Sequence, residues 1–140
     1  MKYILTLILS LVLIGCESNY EEEGSHAGEL YEEDYPAGGY SQIRISGNGY
    51  IVTFKGNGYT SSDMASDYAL LRVAEICLES TKPFFEILEY KLIYLEQVVL
   101  NDKPVATYRI NCLDTDKDNA LVHDAVITYK TITTMYGLKD

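Results

Sequence analysis

The sequence predicts an α+β domain: a small antiparallel sheet in ββαββα order, with one helix packed on the sheet and a C-terminal helix. Two short period-two segments meet at Gly47-Asn48-Gly49, a helical stripe follows between Ser62 and Ser80, and two more β-prone runs precede a tail with helical spacing. The folded part is placed at residues 39–140, a single domain with about a hundred residues to bury a core.

Ser41 to Ser46 alternates, with Ile43 and Ile45 on one face and Gln42, Arg44 and Ser46 on the other, the mark of a half-buried strand that buries its isoleucines. Asn48 and its flanking glycines tolerate positive φ and suit a hairpin. Tyr50 to Lys55 returns, with Tyr50, Val52 and Phe54 sharing a face, and Gly56-Asn57-Gly58 ends it. Thr60, Ser61 and Ser62 offer a helix N-cap, and Asp63 and Asp67 lie near the positive end of the helix dipole. Leu70, Val73, Ala74 and Cys77 form the apolar stripe, with Leu71 and Leu78 alongside, and Pro83 stops the helix near Ser80.

Phe84 to Val99 reads as one extended strand or two with a bend, and Asn101-Asp102-Lys103-Pro104 as a turn. Val105 to Leu113 alternates again, setting Ala106, Tyr108, Ile110 and Cys112 on one face. In the tail, threonine and β-branched residues favour strand. The helical recurrence of Val122, Ala125, Val126, Tyr129, Ile132 and Tyr136 outweighs them, with Asp118 or Asn119 as cap and Gly137 as closure.

Ahead of the domain, Lys2 and the twelve apolar residues Tyr3 to Ile14 make a signal peptide too short to span a bilayer as an ordinary helix. It ends in Leu13-Ile14-Gly15-Cys16, the pattern of a bacterial lipobox, so residues 1–15 are expected to be cleaved and Cys16 to carry lipid. The anchor is the covalent, palmitate-type acylation of Cys16, each buried methylene contributing about 0.8 kcal/mol. This places the chain in the cell envelope, on the outer membrane with its domain on the periplasmic or surface side.

Residues 16–38 read as a disordered acidic tether. Glu17, Glu21, Glu22, Glu23, Glu29, Glu32, Glu33 and Asp34 occur there with no Lys or Arg. As a coil of about twenty residues it would reach roughly 25 Å.

The formal charge of −10, with no run of Lys or Arg, argues against nucleic-acid binding and against electrostatic attachment to anionic lipid. The 13 tyrosines suit a thin core whose hydroxyls stay wet. With Cys16 acylated, Cys77 and Cys112 remain as an even pair in an oxidising compartment, both projecting to the helix–sheet interface, and a disulfide is expected between them.

Gly39-Tyr40-Ser41, Phe54-Lys55-Gly56-Asn57-Gly58-Tyr59-Thr60-Ser61 and Tyr68-Ala69-Leu70-Leu71-Arg72-Val73-Ala74-Glu75 together resemble an uncharacterised family of bacterial envelope lipoproteins. Its members share G-Y-S, F-x-G-N-x-Y-T-S and Y-x-L-x-R-A-A-E in that order. The likeness covers roughly residues 38–88, with a looser echo at His123-Asp124-Ala125, and Val73 departs from the usual Ala. It implies a lipoprotein and this fold, and no activity.

No catalytic residues are assigned. His123 is the one histidine within the domain, and no nucleophile elbow frames a serine. Glu86, Glu89 and Glu96 fit the solvent face of a strand. Asp114-Thr115-Asp116-Lys117-Asp118-Asn119 alternates acids as a calcium loop does, but position 6 is Asn119 rather than Gly. Position 12 is Ala125 rather than a bidentate Glu, and Asp124 misses by one. A polar turn is the expectation, with no metal and no cofactor. Arg72 with Glu75 and Glu79 forms an ion-pair cluster on the helix, and Tyr59, Thr60, Arg72 and Glu75 are the candidate recognition surface. The expected role is a non-enzymatic binding or assembly module with an envelope-protein or cell-wall partner. The alternative is a small enzyme acting on cell-wall or surface carbohydrate.

Overall fold

The computed structural model describes residue 20 and residues 38–95, 103–116 and 121–138. The signal peptide, Cys16 and nearly all of the acidic tether lie outside the described residues, as do Glu96 and residues 117–120. Strands β1 (Gly39–Ser46) and β2 (Gly49–Lys55) form the first hairpin, and α1 (Ser62–Glu79) follows. Then come β3 (Phe84–Leu95), β4 (Lys103–Leu113), the three-residue β5 (Val122–Asp124) and α2 (Ala125–Tyr136). All pairings are antiparallel in one sheet of order β1-β2-β4-β3-β5. The expected α+β architecture stands, with one strand added before the last helix.

Helix α1 starts where its cap dictates. Ser61 is extended at φ −74°, and its hydroxyl accepts the Met64 amide at 3.1 Å. Buried side chains nearly encircle α1 (Ala65, Tyr68, Ala69, Leu71, Val73, Ala74, Ile76 and Cys77), because the sheet covers one side and α2 another. Leu70 and Leu78 pack at the margin of this core. The buried face of β4 is the expected one: Ala106, Tyr108, Ile110 and Cys112 are all in the core. Cys77 of α1 and Cys112 of β4 are joined by a disulfide, with a Cα–Cα separation of 5.3 Å.

Three local expectations are corrected. Ile43 is 64% exposed, and Ile45 sits at a bulge between Arg44 and Ser46. Cross-strand partners share a face. Tyr40, Gln42 and Arg44 pair with Phe54, Val52 and Tyr50, so the polar side of β1 is the one turned toward α1. The register with β2 sets this side inward, where Gln42 lies opposite Val52 and accepts from Arg72 Nε at 2.7 Å. Next, Lys103 and Pro104 belong to β4 and are buried rather than forming a turn, since Gly56 donates its amide to the Pro104 carbonyl at 2.8 Å.

The run from Phe84 is one strand to Leu95 with a bulge between Ile87 and Glu89, and the bulge keeps both Phe85 and Tyr90 on the core side of β4. Finally, Val122 lies in β5, not in the last helix, and the cap of α2 is Asp124, whose carboxylate accepts the Ile127 amide at 2.9 Å. The inner stripe of α2 is accordingly Ala125, Tyr129, Ile132, Thr133 and Tyr136, while Val126 faces outward.

Both helices end in the same hydrogen-bond pattern with different residues. Lys82 and Thr81 donate their amides to the Cys77 and Leu78 carbonyls, and Leu138 and Gly137 do likewise to Thr133 and Thr134. Gly137 occupies the left-handed position at φ 63°, as its sequence position implies. In α1 the same position is Thr81, at φ 59°. A β-branched residue there is strained. Thr81→Gly is expected to raise stability by about 1 kcal/mol, net of the entropy glycine adds to the unfolded chain, and Tm by about 5 °C. Thermal melts of the two proteins check it, and an unchanged or lower Tm would refute the strain.

Candidate functional site

Arg72 projects from the middle of α1 toward β1, and each of its three nitrogens donates to a neighbour. Its Nε donates to Gln42 Oε1 at 2.7 Å, and its Nη1 to Glu75 Oε2 at 2.8 Å and Glu79 Oε1 at 2.9 Å. The guanidinium lies 4.8 Å over the Tyr40 ring. Burial works against its charge, and the bonds to Glu75 and Glu79 outweigh this, so the cation is held more firmly than in water. The i,i+3 and i,i+7 spacing in the sequence foretold the two carboxylates. Gln42 and Tyr40 required the strand register.

Beside this cluster lies an aromatic slot. Tyr40 of β1, Phe54 of β2 and Tyr68 of α1 line it, and the side chain within it is Tyr20. Its ring lies 5.2 Å from Tyr40, 5.3 Å from Tyr68 in an edge-on arrangement, and 6.5 Å from Phe54 in a stacked one. The Tyr20 hydroxyl donates to Glu75 Oε2 at 2.6 Å, the same oxygen that accepts from Arg72. Tyr20 falls inside the segment read from sequence as disordered tether, and its placement against the core was not anticipated. In the sequence it is one of three tyrosines in that segment, with Tyr31 and Tyr35, and nothing sets it apart.

Burial, then the hydrogen bond and charge of Glu75, push the Tyr20 phenol far above the ordinary tyrosine range. The folded state thus keeps a proton that the unfolded chain loses near pH 10. The stability Tyr20 contributes is intact below that pH and declines above it, by up to about 1.4 kcal/mol per pH unit. Tyr20→Phe should cost roughly 1.5 kcal/mol at pH 7 through the lost charge-assisted bond. The gap between the two proteins should narrow between pH 9 and pH 11 in denaturant titrations. An equal gap at both values would contradict the assignment.

The four residues proposed as a recognition surface do not form one patch. Tyr59 is 71% exposed, but Thr60 is buried, and its hydroxyl donates to Asn57 Oδ1 at 3.1 Å while accepting the Asn57 amide at 2.9 Å. Thr60 therefore builds the turn into α1. Ten residues of helix, roughly 15 Å of rise, separate the start of α1 from Arg72. Arg72 and Glu75 belong with Tyr20, Tyr40, Phe54 and Tyr68 instead.

Of the other candidates, Asp114, Glu86 and His123 have local partners, and Asp118, Asn119 and Glu96 lie outside the described residues. The Asp114 carboxylate accepts from Lys82 Nζ through both oxygens, at 2.8 and 2.7 Å, and no group of metal-ligating side chains occurs among the described residues. Glu86 accepts from Asn111 Nδ2 at 3.0 Å, and the exposed His123 stacks on Phe85 at 5.2 Å. Tyr136 of α2 donates to Asp67 of α1 at 2.6 Å and packs edge-on against Tyr68, bracing the slot from behind. Burial pushes the neighbouring Tyr108 phenol up to about 12, with Tyr90 and Asp67 adding to it. Searched against protein-family models, curated proteins and solved structures, the chain finds no match.

Proposed function

We propose that this chain is a lipid-anchored envelope protein whose domain acts as a binding or assembly module rather than an enzyme. The observation that carries the binding reading is the seating of Tyr20. A side chain remote in sequence lies in an aromatic slot formed by three elements, its hydroxyl on Glu75, as a ligand would lie. Glu75, the carboxylate that meets Tyr20, and Glu79 are both bonded to Arg72, which suits a fixed recognition surface better than acid–base work on carbohydrate. Leu13-Ile14-Gly15-Cys16 after a short apolar run supports the anchor, and the resemblance to envelope lipoproteins agrees with it.

Expression of the full chain in bacteria fed an alkyne fatty acid tests the anchoring. Label should appear on the wild type and vanish in Cys16→Ser, and the mature polypeptide should begin at Cys16 with an added acyl mass. An unlabelled chain beginning at Met1 would overturn it.

A further inference from the structure

We propose that the slot between β1, β2 and α1 is a receptor for an uncharged tyrosine side chain, and that Tyr20 is its tethered resident. This rests on the reading of the domain as a binding module and does not require acylation of Cys16. The walls are held independently of their occupant. Phe54 and Tyr68 meet edge-on at 5.2 Å, Tyr68 is backed by Tyr136, and Tyr40 lies under Arg72. The polar end is fixed in the same way. Glu75 is aimed by Arg72, and Arg72 in turn is held by Glu79 and Gln42.

The chemistry of that end defines the ligand. Glu75 Oε2 accepts a hydrogen bond from the phenol at 2.6 Å, so a ring without a hydroxyl leaves that contact unmade. Two carboxylates against one guanidinium leave the cluster net negative, which disfavours a phosphorylated tyrosine or a carboxylate. The class selected is a neutral para-substituted phenol carried on a peptide segment. Tyr20 reaches the slot from beyond the described body of the domain, with residues 21–37 intervening, so the seat accepts a side chain supplied by a separate stretch of chain.

The full chain with Tyr20→Gly provides the test, using p-cresol as the free side chain and toluene as its counterpart without the hydroxyl. The variant should melt roughly 10 °C below wild type. Addition of p-cresol at about ten times its Kd should restore about 5 °C, through binding to the folded form alone. Toluene at the same concentration should restore less than half as much, and wild type should not respond because its slot is filled.

No response of Tyr20→Gly to p-cresol, or an equal response of wild type, would overturn the proposal. Should Tyr20→Gly fail to fold, a cycle of Tyr20→Phe and Glu75→Ala keeps the question open to measurement. Losses in Tm that are less than additive support a phenol–carboxylate contact, and strictly additive losses overturn it. Each readout is made on purified chain whether or not Cys16 is acylated, so a failure here leaves the fatty-acid labelling result untouched, and the reverse.

Discussion

Phe54→Ala is expected to cost about 4 kcal/mol, because it removes a fully buried ring and leaves a void that the surrounding elements cannot close. Phe54 has no solvent exposure, pairs with Tyr40 and Ala106 across its two neighbouring strands, and meets Tyr68 edge-on. A domain of this size has roughly 5–15 kcal/mol to lose, so Tm should fall by on the order of 20 °C. Tyr20 loses a stacked neighbour in the same step, and its contribution should fall with that of Phe54. Ile43→Ala is the matched comparison. As Ile43 lies on the open face at 64% exposure, its loss should stay within about 0.5 kcal/mol. Urea denaturation of the three proteins decides the matter, and comparable losses would mean that the face of the hairpin had been assigned wrongly.

Reduction of Cys77–Cys112 should be nearly as damaging. The bridge spans 35 residues, and releasing a loop of that length restores to the unfolded chain about 4 kcal/mol of conformational freedom in the chain-entropy account. It also unties α1 from the centre of the sheet. Both cysteines are completely buried, so a thiol reductant must wait for the helix to lift from β4. Reduction should therefore be slow in buffer and fast in moderate denaturant, with the reduced chain melting at least 15 °C lower. Mass analysis of alkylated samples follows the first effect and calorimetry the second. Rapid reduction in buffer with an unchanged Tm would contradict the packing described for these residues.

Much of this architecture could be read from short-range patterns. Helix α1 announced itself through the Thr60-Ser61-Ser62 run and the stripe around Val73 and Cys77, β4 through strict alternation, and the bridge through two cysteines whose periodicities pointed to one interface. What escaped was whatever depended on pairing between distant segments. The alternation of β1 was plain, but which side faces α1 is set by its register with β2, and that register puts Gln42 beside Arg72 and leaves Ile43 outside. β5 is too short to show a period, and it exists because Phe84, Phe85 and Glu86 offer an edge to pair with. At the candidate site, the Arg72–Glu75–Glu79 spacing was visible along one helix. Tyr59 and Thr60 were grouped with it only by nearness in sequence, and Tyr20 could not be found, because nothing in an acidic stretch that also holds Tyr31 and Tyr35 marks out the ring whose partners lie 20 to 55 residues away.

The docking of Tyr20 changes how distance is measured along the front of this chain. Only residues 17–19 separate Cys16 from a side chain fixed on the domain, which limits the span between the Cα atoms of Cys16 and Tyr20 to about 14 Å. Tyr20 and Gly38, the described residues on either side of positions 21–37, both lie against the same body. Inserting or deleting residues between Tyr20 and Gly38 would therefore leave the separation of Cys16 from the domain as it was.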